Sequence, residues 1–238
     1  MSEPAPSTYL ECIETTDQFP CGETYWWIRN PNDTNDWKLI VWFCNLHGCS
    51  QCANRRSKRN GRAVLEYVGK RPCHHLTLTV ARNRKPLRHL LEHLRTSFRT
   101  LNRRPRWKRS IIGGIWFLDC TYDEGTDAWG PHLHVIVEAD ELPGWLEAAW
   151  LEITGDSWQV GARAIDVDAG SRAGTVYYAS KVAYKQFADN PSAMAEYLEG
   201  VKGKRKSQPF GKWYGKLKLN PRRAGRKTRL AEPPTTST

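Results

Sequence analysis

The sequence lacks any apolar run long enough to cross a bilayer, and its opening, Met1-Ser-Glu-Pro-Ala-Pro, has no basic-then-apolar leader. These absences predict a cytoplasmic protein with no membrane partner. Acidic residues are also nearly missing from two long stretches. Residues 55–109 carry 18 basic and 2 acidic side chains, and residues 200–238 carry 12 and 1. The remaining blocks are acidic: residues 1–54 sum to −5 and residues 110–199 to −11, within an overall charge of +11. An ordinary solvated surface spreads its charge. Two blocks almost free of acids form the electrostatic footprint of a polyanion binder, and an acidic block between them suits divalent cations. Nucleic acid is the expected partner.

What is present divides into four expected segments. Residues 1–20 are polar with scattered Pro, Ser and Thr, and are expected to be disordered. Residues 21–70 read as a cysteine-rich knuckle followed by a basic helix, residues 71–200 as the main domain, and residues 201–238 as a basic, flexible tail. The chain has 7 cysteines, and in a cytoplasmic protein these point to metal ligands or core thiols before disulfides. Around Tyr25–Ile28 and Trp37–Phe43 the pattern is strand, turn, strand. Cys44, Cys49 and Cys52 follow at C-x4-C-x2-C spacing. Three thiols within nine residues, with Cys21 at the base of the hairpin, can close a tetrahedral Zn²⁺ site of structural type. Cys73, His47 and His74 compete with Cys21 for the fourth position, while Cys12 and Cys120 read as spare thiols. Arg55, Arg56, Lys58, Arg59 and Arg62 then open a helix and are expected to contact phosphates.

In the main domain, His75–Val80 alternates as a strand of the sheet, with His74 and His75 read as structural. Leu87, Leu90, Leu91, Leu94, Phe98 and Leu101 form one apolar face of a helix beginning near Pro86. Ile111–Thr121 and the stretch Pro131-His-Leu-His-Val-Ile-Val137 form a hairpin. His132 and His134 share one strand face, because side chains alternate with period two. By itself an H-x-H pair is more often two polar side chains on a wet face than a metal site. A turn at Gly125-Thr126 places Asp119 directly opposite His132, which adds a carboxylate to the two imidazoles. One oxygen with two nitrogens suits Mg²⁺ or Mn²⁺ acting on a phosphate. Asp123 and Glu138 stand as alternatives for the third ligand. Helices are expected over Pro143–Thr154 and 191–201, and a strand over Gln159–Val167. A helix over residues 172–188 sets Tyr178 and Lys181 on one face, with Lys185 a turn further and Tyr177 and Tyr184 on an adjacent face. Phe210, Trp213 and Tyr214 in the tail are available to stack on bases. The fold class is α+β, a mainly antiparallel sheet with the histidine strand at its centre, helices packed on it and a small zinc knuckle at one end.

Three stretches, Leu76-Thr-Leu-Thr79, Pro131-His-Leu-His134 and Tyr178-Ala-Ser-Lys181, together resemble the HUH endonuclease superfamily, specifically the rolling-circle replication initiators of small plasmids. Cys21-Gly22, Phe43-Cys44, Cys49, Cys52 and Arg55-Arg56-Ser57 are similar to that group's cysteine-rich N-terminal region, and Leu118–Asp123 to its acidic strand. The resemblance runs over residues 21–185. It implies a metal held by His132 and His134, a nucleophilic Tyr178 helped by Lys181, and nicking of one strand at a plasmid origin. A 5′-phosphotyrosine and a free 3′-OH would result, with the ends later rejoined. Single-stranded or hairpin origin DNA, a host helicase and a polymerase are the implied partners. One position departs from the pattern: relatives often carry glutamate one turn before the tyrosine, where this chain has Gly174. Final release would then use Tyr184, Tyr177, Asp166 or Asp168. A single-strand transposase of the same chemistry is the alternative enzyme, and a zinc-containing DNA-binding regulator without chemistry is the alternative of another class.

Overall fold

The computed structural model describes residues 21, 25–30, 33–41, 43–45, 49–157, 159–165, 168–181 and 189–219. The chain forms two compact units, one of residues 1–55 with 221–238 and one of Arg56–Asn220. In the first, β1 (Tyr25–Asn30) pairs antiparallel with β2 (Asp33–Val41), the hairpin expected from the turn-rich Asn30–Asp33. Helix α1 (Ser50–Val68) begins in the first unit and ends in the second.

The second unit is built on five antiparallel strands in the order β6-β3-β5-β4-β7. They are β3 (Cys73–Thr79), β4 (Gly113–Asp123), β5 (Ala128–Glu138), β6 (Val160–Ile165) and β7 (Ser207–Gly211). The histidine strand β5 is central, as expected from the sequence. The connecting helices are α2 (Leu87–Arg103), α3 (Pro105–Ser110), α4 (Leu146–Thr154), α5 (Ala169–Ser180) and α6 (Pro191–Val201). The class is therefore α+β. Among the described residues, no helix is long and apolar enough to cross a membrane.

Period-two alternation gives the sheet two different faces. Leu133, Val135 and Val137 of β5 are fully buried, as are Leu76 and Leu78 of β3, on the face that α2 covers. The apolar stripe of α2 is the one read from the sequence: Leu87, Leu90, Leu91, Leu94, Phe98 and Leu101 are all buried. The opposite face carries Cys73, Ile115, Phe117, Ile136 and Ile165 in one core with Val64 and Val68 of α1 and Val176 and Ala179 of α5. On this second face the alternation that continues Ile136 leads to His134 and His132. The candidate site residues thus start where a hydrophobic core stops.

Two expectations are corrected here. The helix read over 172–188 ends at Ser180, and Lys181 is its C-cap with extended backbone (φ −67, ψ 141). Tyr184 and Lys185 lie outside the described residues, as do Cys12, His47 and Asp166. The tail is not a free arm up to residue 219. Ser207–Gly211 adds β7 to the edge of the sheet against β4, an edge being where Pro209 is tolerated. Phe210, Trp213 and Leu217 are buried, while Tyr214 stays exposed. Trp213 is fully enclosed in the core beneath the site face, and its indole N–H donates to Glu138 Oε2 at 2.6 Å. Phe210 and Trp213 pack rather than await bases.

A buried Trp→Ala replacement costs about 3–5 kcal/mol. Trp213→Ala should therefore lower the unfolding free energy of the full chain by that much, read as a lower midpoint in chemical denaturation. A free arm would leave the midpoint unchanged and alter only DNA affinity.

Candidate metal centres and nucleophile

The turn between β4 and β5 sets the register Asp119↔His132, Phe117↔His134 and Ile115↔Ile136. Directly opposed residues share a face, so Asp119, His132 and His134 project together. Asp119 Oδ2 lies 3.5 Å from His132 Nε2 and 3.6 Å from His134 Nε2. Ligand atoms around an ion with bonds of about 2.1 Å are roughly 3.0–3.4 Å apart. The two carboxylate–imidazole spacings exceed this by a few tenths of an ångström, so a small inward shift would let the three atoms close on a cation.

Asp119 and His132 of this candidate cluster are oriented from behind. The Cys120 backbone N–H donates to Asp119 Oδ1 at 2.8 Å, turning Oδ2 toward the imidazoles. His132 Nδ1–H donates to Gly130 O at 3.1 Å, which leaves Nε2 bare. Burial alone would raise the Asp119 carboxyl, but hydrogen bonds and charge from His132 and His134 outweigh it and hold it well below the usual range. Burial likewise opposes charge on His132, yet Asp119 raises its pKa. The alternative third ligands are engaged elsewhere. Asp123 pairs with Arg82 at 2.7 Å, and Glu138 accepts from Trp213.

Two residues that the sequence did not single out for this site stand beside the centre. His75 is 4% exposed and its Nε2 lies 3.1 Å from His134 Nδ1. Burial, with His134 and Arg163 nearby, pushes its pKa down to about 3, so it is neutral. Arg163 of β6 stands directly opposite His75 of β3, with its guanidinium 6.0 Å from the Tyr178 ring centre. Strand pairing across residues far apart in sequence brings both here, a signal no local pattern carries.

The tyrosine helix α5 is a firm mount. Asp168 caps it by accepting from Ser171 N at 2.9 Å, Val176 and Ala179 are fully buried, and buried Arg172 donates to Gly69 O and to Arg71 O. Ser180 Oγ donates to Ser57 O of α1 at 3.3 Å. Adjacent tyrosines leave this helix in different directions. The Tyr178 ring is 54% exposed, and its centre is 5.2 Å from that of His134. Tyr177 instead lies over Gly61 of α1, where a β-carbon would come within 2.5 Å of its ring. Lys181 is exposed, and its backbone N–H caps Tyr178 O at 3.2 Å. Beyond Tyr178 is a cleft of about 540 Å³ lined by His75, Thr77, Arg163, Ser171 and Gly174. Nothing lies within 4 Å of where a Gly174 β-carbon would be.

In the first unit the thiols of Cys21, Cys44, Cys49 and Cys52 lie within 4.8 Å of one another. Cys52 Sγ is 3.5 Å from Cys21 Sγ and 3.6 Å from Cys44 Sγ. A tetrahedron with Zn–S bonds of about 2.3 Å has edges of roughly 3.8 Å. Backbone N–H groups of Cys44 and Asn45 donate to the sulfurs of Cys21 and Cys52, the pattern that favours thiolates. Burial opposes ionisation of Cys49, but the Cys52 N–H and the neighbouring thiols outweigh it and lower its pKa, whereas burial pushes the Cys21 thiol up to about 11. Cys21 thus joins the cluster as read. Cys73 sits in the hydrophobic core, its thiol pushed up to about 12 by burial, and His74 Nε2 bonds Ala139 O. The donor sets of both clusters fit metals. Of the basic residues on α1, Arg55, Lys58, Arg59 and Arg62 are exposed and Arg56 is half-buried.

Comparison with known proteins agrees with the motif resemblance. Residues 39–146 match the model of a replication protein family. The chain is 30% identical over 138 residues to a protein rep of Streptococcus pneumoniae serotype 2 (strain D39 / NCTC 7466), covering 55% of this chain and 41% of that protein. It is also 30% identical over 138 residues to a protein rep of Lactiplantibacillus plantarum, covering 54% and 43%. The chain thus spans about two fifths of the length of these curated relatives. No solved structure matches significantly. The family match includes Asp119, His132, His134 and three of the four clustered cysteines, and stops before Tyr178.

The geometry predicts one Mn²⁺ bound per Asp119–His132–His134 centre. In electron paramagnetic resonance titrations of the full chain, His134→Ala should abolish this binding. His74→Ala, whose imidazole faces backbone carbonyls away from the centre, should leave it intact.

Proposed function

We propose that this chain, which resembles the plasmid rolling-circle replication initiators and matches a replication protein family over residues 39–146, nicks one strand of origin DNA and later rejoins it. The observation that carries the reading is the 5.2 Å approach of the exposed Tyr178 ring to the His134 ring, on a face that also holds Asp119 and His132. A nucleophile beside a two-imidazole, one-carboxylate cluster is the arrangement phosphodiester transfer requires. A DNA-binding regulator without chemistry would give these four side chains no reason to converge. The replication protein match favours an initiator over a transposase.

In the proposed reaction the Tyr178 oxygen attacks the scissile phosphorus and loses its proton. The phosphorus–O3′ bond breaks, the 3′ oxygen leaves as a hydroxyl after taking up a proton, and the 5′ phosphate remains on the tyrosine. A tyrosine hydroxyl has a reference pKa near ~10, so its attack needs nearby positive charge. A divalent cation held by Asp119, His132 and His134 would neutralise the non-bridging oxygens as charge develops. Arg163, whose guanidinium stands 6.0 Å from the Tyr178 ring centre, supplies a fixed positive charge to the same phosphate. The resemblance implies this help from Lys181, which here is the C-cap of α5; Arg163 is assigned it because its guanidinium stands by the Tyr178 ring. Breaking and re-forming an ester of similar energy lets the joining reaction proceed without ATP. Single-stranded or hairpin origin DNA is the proposed substrate, contacted by Arg55, Arg56, Lys58, Arg59 and Arg62 through its phosphates. A host helicase and a polymerase extending the 3′-OH would follow. The four clustered cysteines would hold a structural Zn²⁺.

A labelled single-stranded origin oligonucleotide with Mn²⁺ should give an SDS-resistant protein–DNA adduct. Tyr178→Phe should abolish it and Tyr177→Phe should keep it; an undiminished adduct with Tyr178→Phe would contradict the assignment. Removing a charge-assisted hydrogen bond costs about 1.5–3 kcal/mol, so Arg163→Ala should slow adduct formation roughly 10- to 150-fold while Lys181→Ala has a much smaller effect. Elemental analysis should find one zinc per chain, lost in Cys52→Ser and retained in Cys120→Ser.

A further inference from the structure

His75 has no ligand atom in the Asp119–His132–His134 cluster, yet it is buried at 4% exposure with its Nε2 aimed at a ligand imidazole. Its contact is His134 Nδ1, at 3.1 Å. The alternative partner of that nitrogen, Thr77 Oγ1, is further away at 3.5 Å. His134 turns its other nitrogen, Nε2, toward Asp119 Oδ2. An imidazole that gives Nε2 to a metal must carry its proton on Nδ1, and the group accepting that proton fixes both the tautomer and the ring angle. His132 meets the same demand with the Gly130 carbonyl, but the two rings lie at 89° to each other, so His134 needs its own acceptor.

We propose that His75 is the positioning residue of the metal centre: His134 Nδ1–H donates to His75 Nε2, which leaves His134 Nε2 bare and pointed at the ion. The inference rests on the divalent-cation reading of the cluster but not on the nicking reaction. β3 makes the arrangement possible. Its register with β5 puts Thr77 opposite His134 and His75 one pair along on the same face, so the longer His75 side chain reaches past Thr77 to the ring. The His75 and His134 rings lie 27° from coplanar with centres 5.2 Å apart, as an in-plane N–H···N bond allows, and His75 meets Tyr178 edge-on at 6.1 Å. One buried side chain therefore contacts both the ligand and the nucleophile.

The test compares His75→Gln and His75→Asn in the full chain, with Mn²⁺ affinity read by electron paramagnetic resonance in the absence of DNA. A glutamine amide reaches where Nε2 stood, while asparagine is one methylene too short. A packing role would treat the two buried amides alike. The expected result is a 10- to 100-fold loss of Mn²⁺ affinity in His75→Asn and near wild-type affinity in His75→Gln. Adduct formation by His75→Asn should recover as Mn²⁺ is raised to saturation. Equal affinities for His75→Asn and wild type, or equal losses in both variants, would overturn the proposal. If neither variant folds, ¹⁵N spectra of the wild-type imidazoles with Mg²⁺ decide it: His134 and His75 should both be Nδ1–H tautomers, and an Nε2–H His134 would refute it. A wild type that binds Mn²⁺ but forms no adduct would refute the nicking reading alone.

Discussion

The register between β4 and β5 is the constraint on which the candidate centre depends. A slip of one residue would move Asp119 to the opposite face from His132 and push Phe117 and Ile115 out of their core. The register is held by what lies along the same two strands. Ile115, Phe117 and Ile136 are packed under α1 and α5, and Leu133, Val135 and Val137 under α2. Burial of both faces leaves a single pairing in which every apolar side chain is covered. The metal-type cluster is the continuation of that pairing beyond the apolar part of the strands.

The same core fixes the tyrosine. Val176 and Ala179 bury one side of α5 and Arg172 ties it to backbone carbonyls near the end of α1, so the direction of Tyr178 is set by packing rather than by a flexible loop. Tyr177 is committed to the crevice over Gly61. Both adjacent tyrosines are partly exposed, but Tyr177 leans over Gly61 while Tyr178 stands beside the histidines. Fixing Tyr178 on a packed helix and the candidate metal ligands on a sheet would suit the proposed phosphoryl transfer, since positioning and electrostatics supply most of its catalysis.

Much of this was legible in the chain because it was local. The hairpin symmetry about Gly125-Thr126 was enough to place Asp119 opposite His132, and the clustering of Cys44, Cys49 and Cys52 with Cys21 pointed to the thiol group. The periodic leucines of α2 announced their helix. What could not be read depended on distant pairings. His75 looked like an ordinary strand residue until β3 was laid beside β5, and Arg163 acquired meaning only when β6 was laid beside β3. The end of α5 at Ser180 was hidden because Tyr-Ala-Ser-Lys continues a helical pattern without a glycine or proline stop. Ser207–Gly211 was obscured by its proline and by the surrounding charge, although it completes the sheet.

The central proposal is that Tyr178 is the nucleophile toward DNA at a site assembled from four strands and one helix. It is tested most directly by digesting the covalent protein–DNA product and identifying the linked peptide by mass spectrometry. The account predicts a single modified peptide with the nucleotide on Tyr178. A modification on Tyr177 or Tyr184, or a nicked product with no linked peptide, would contradict it.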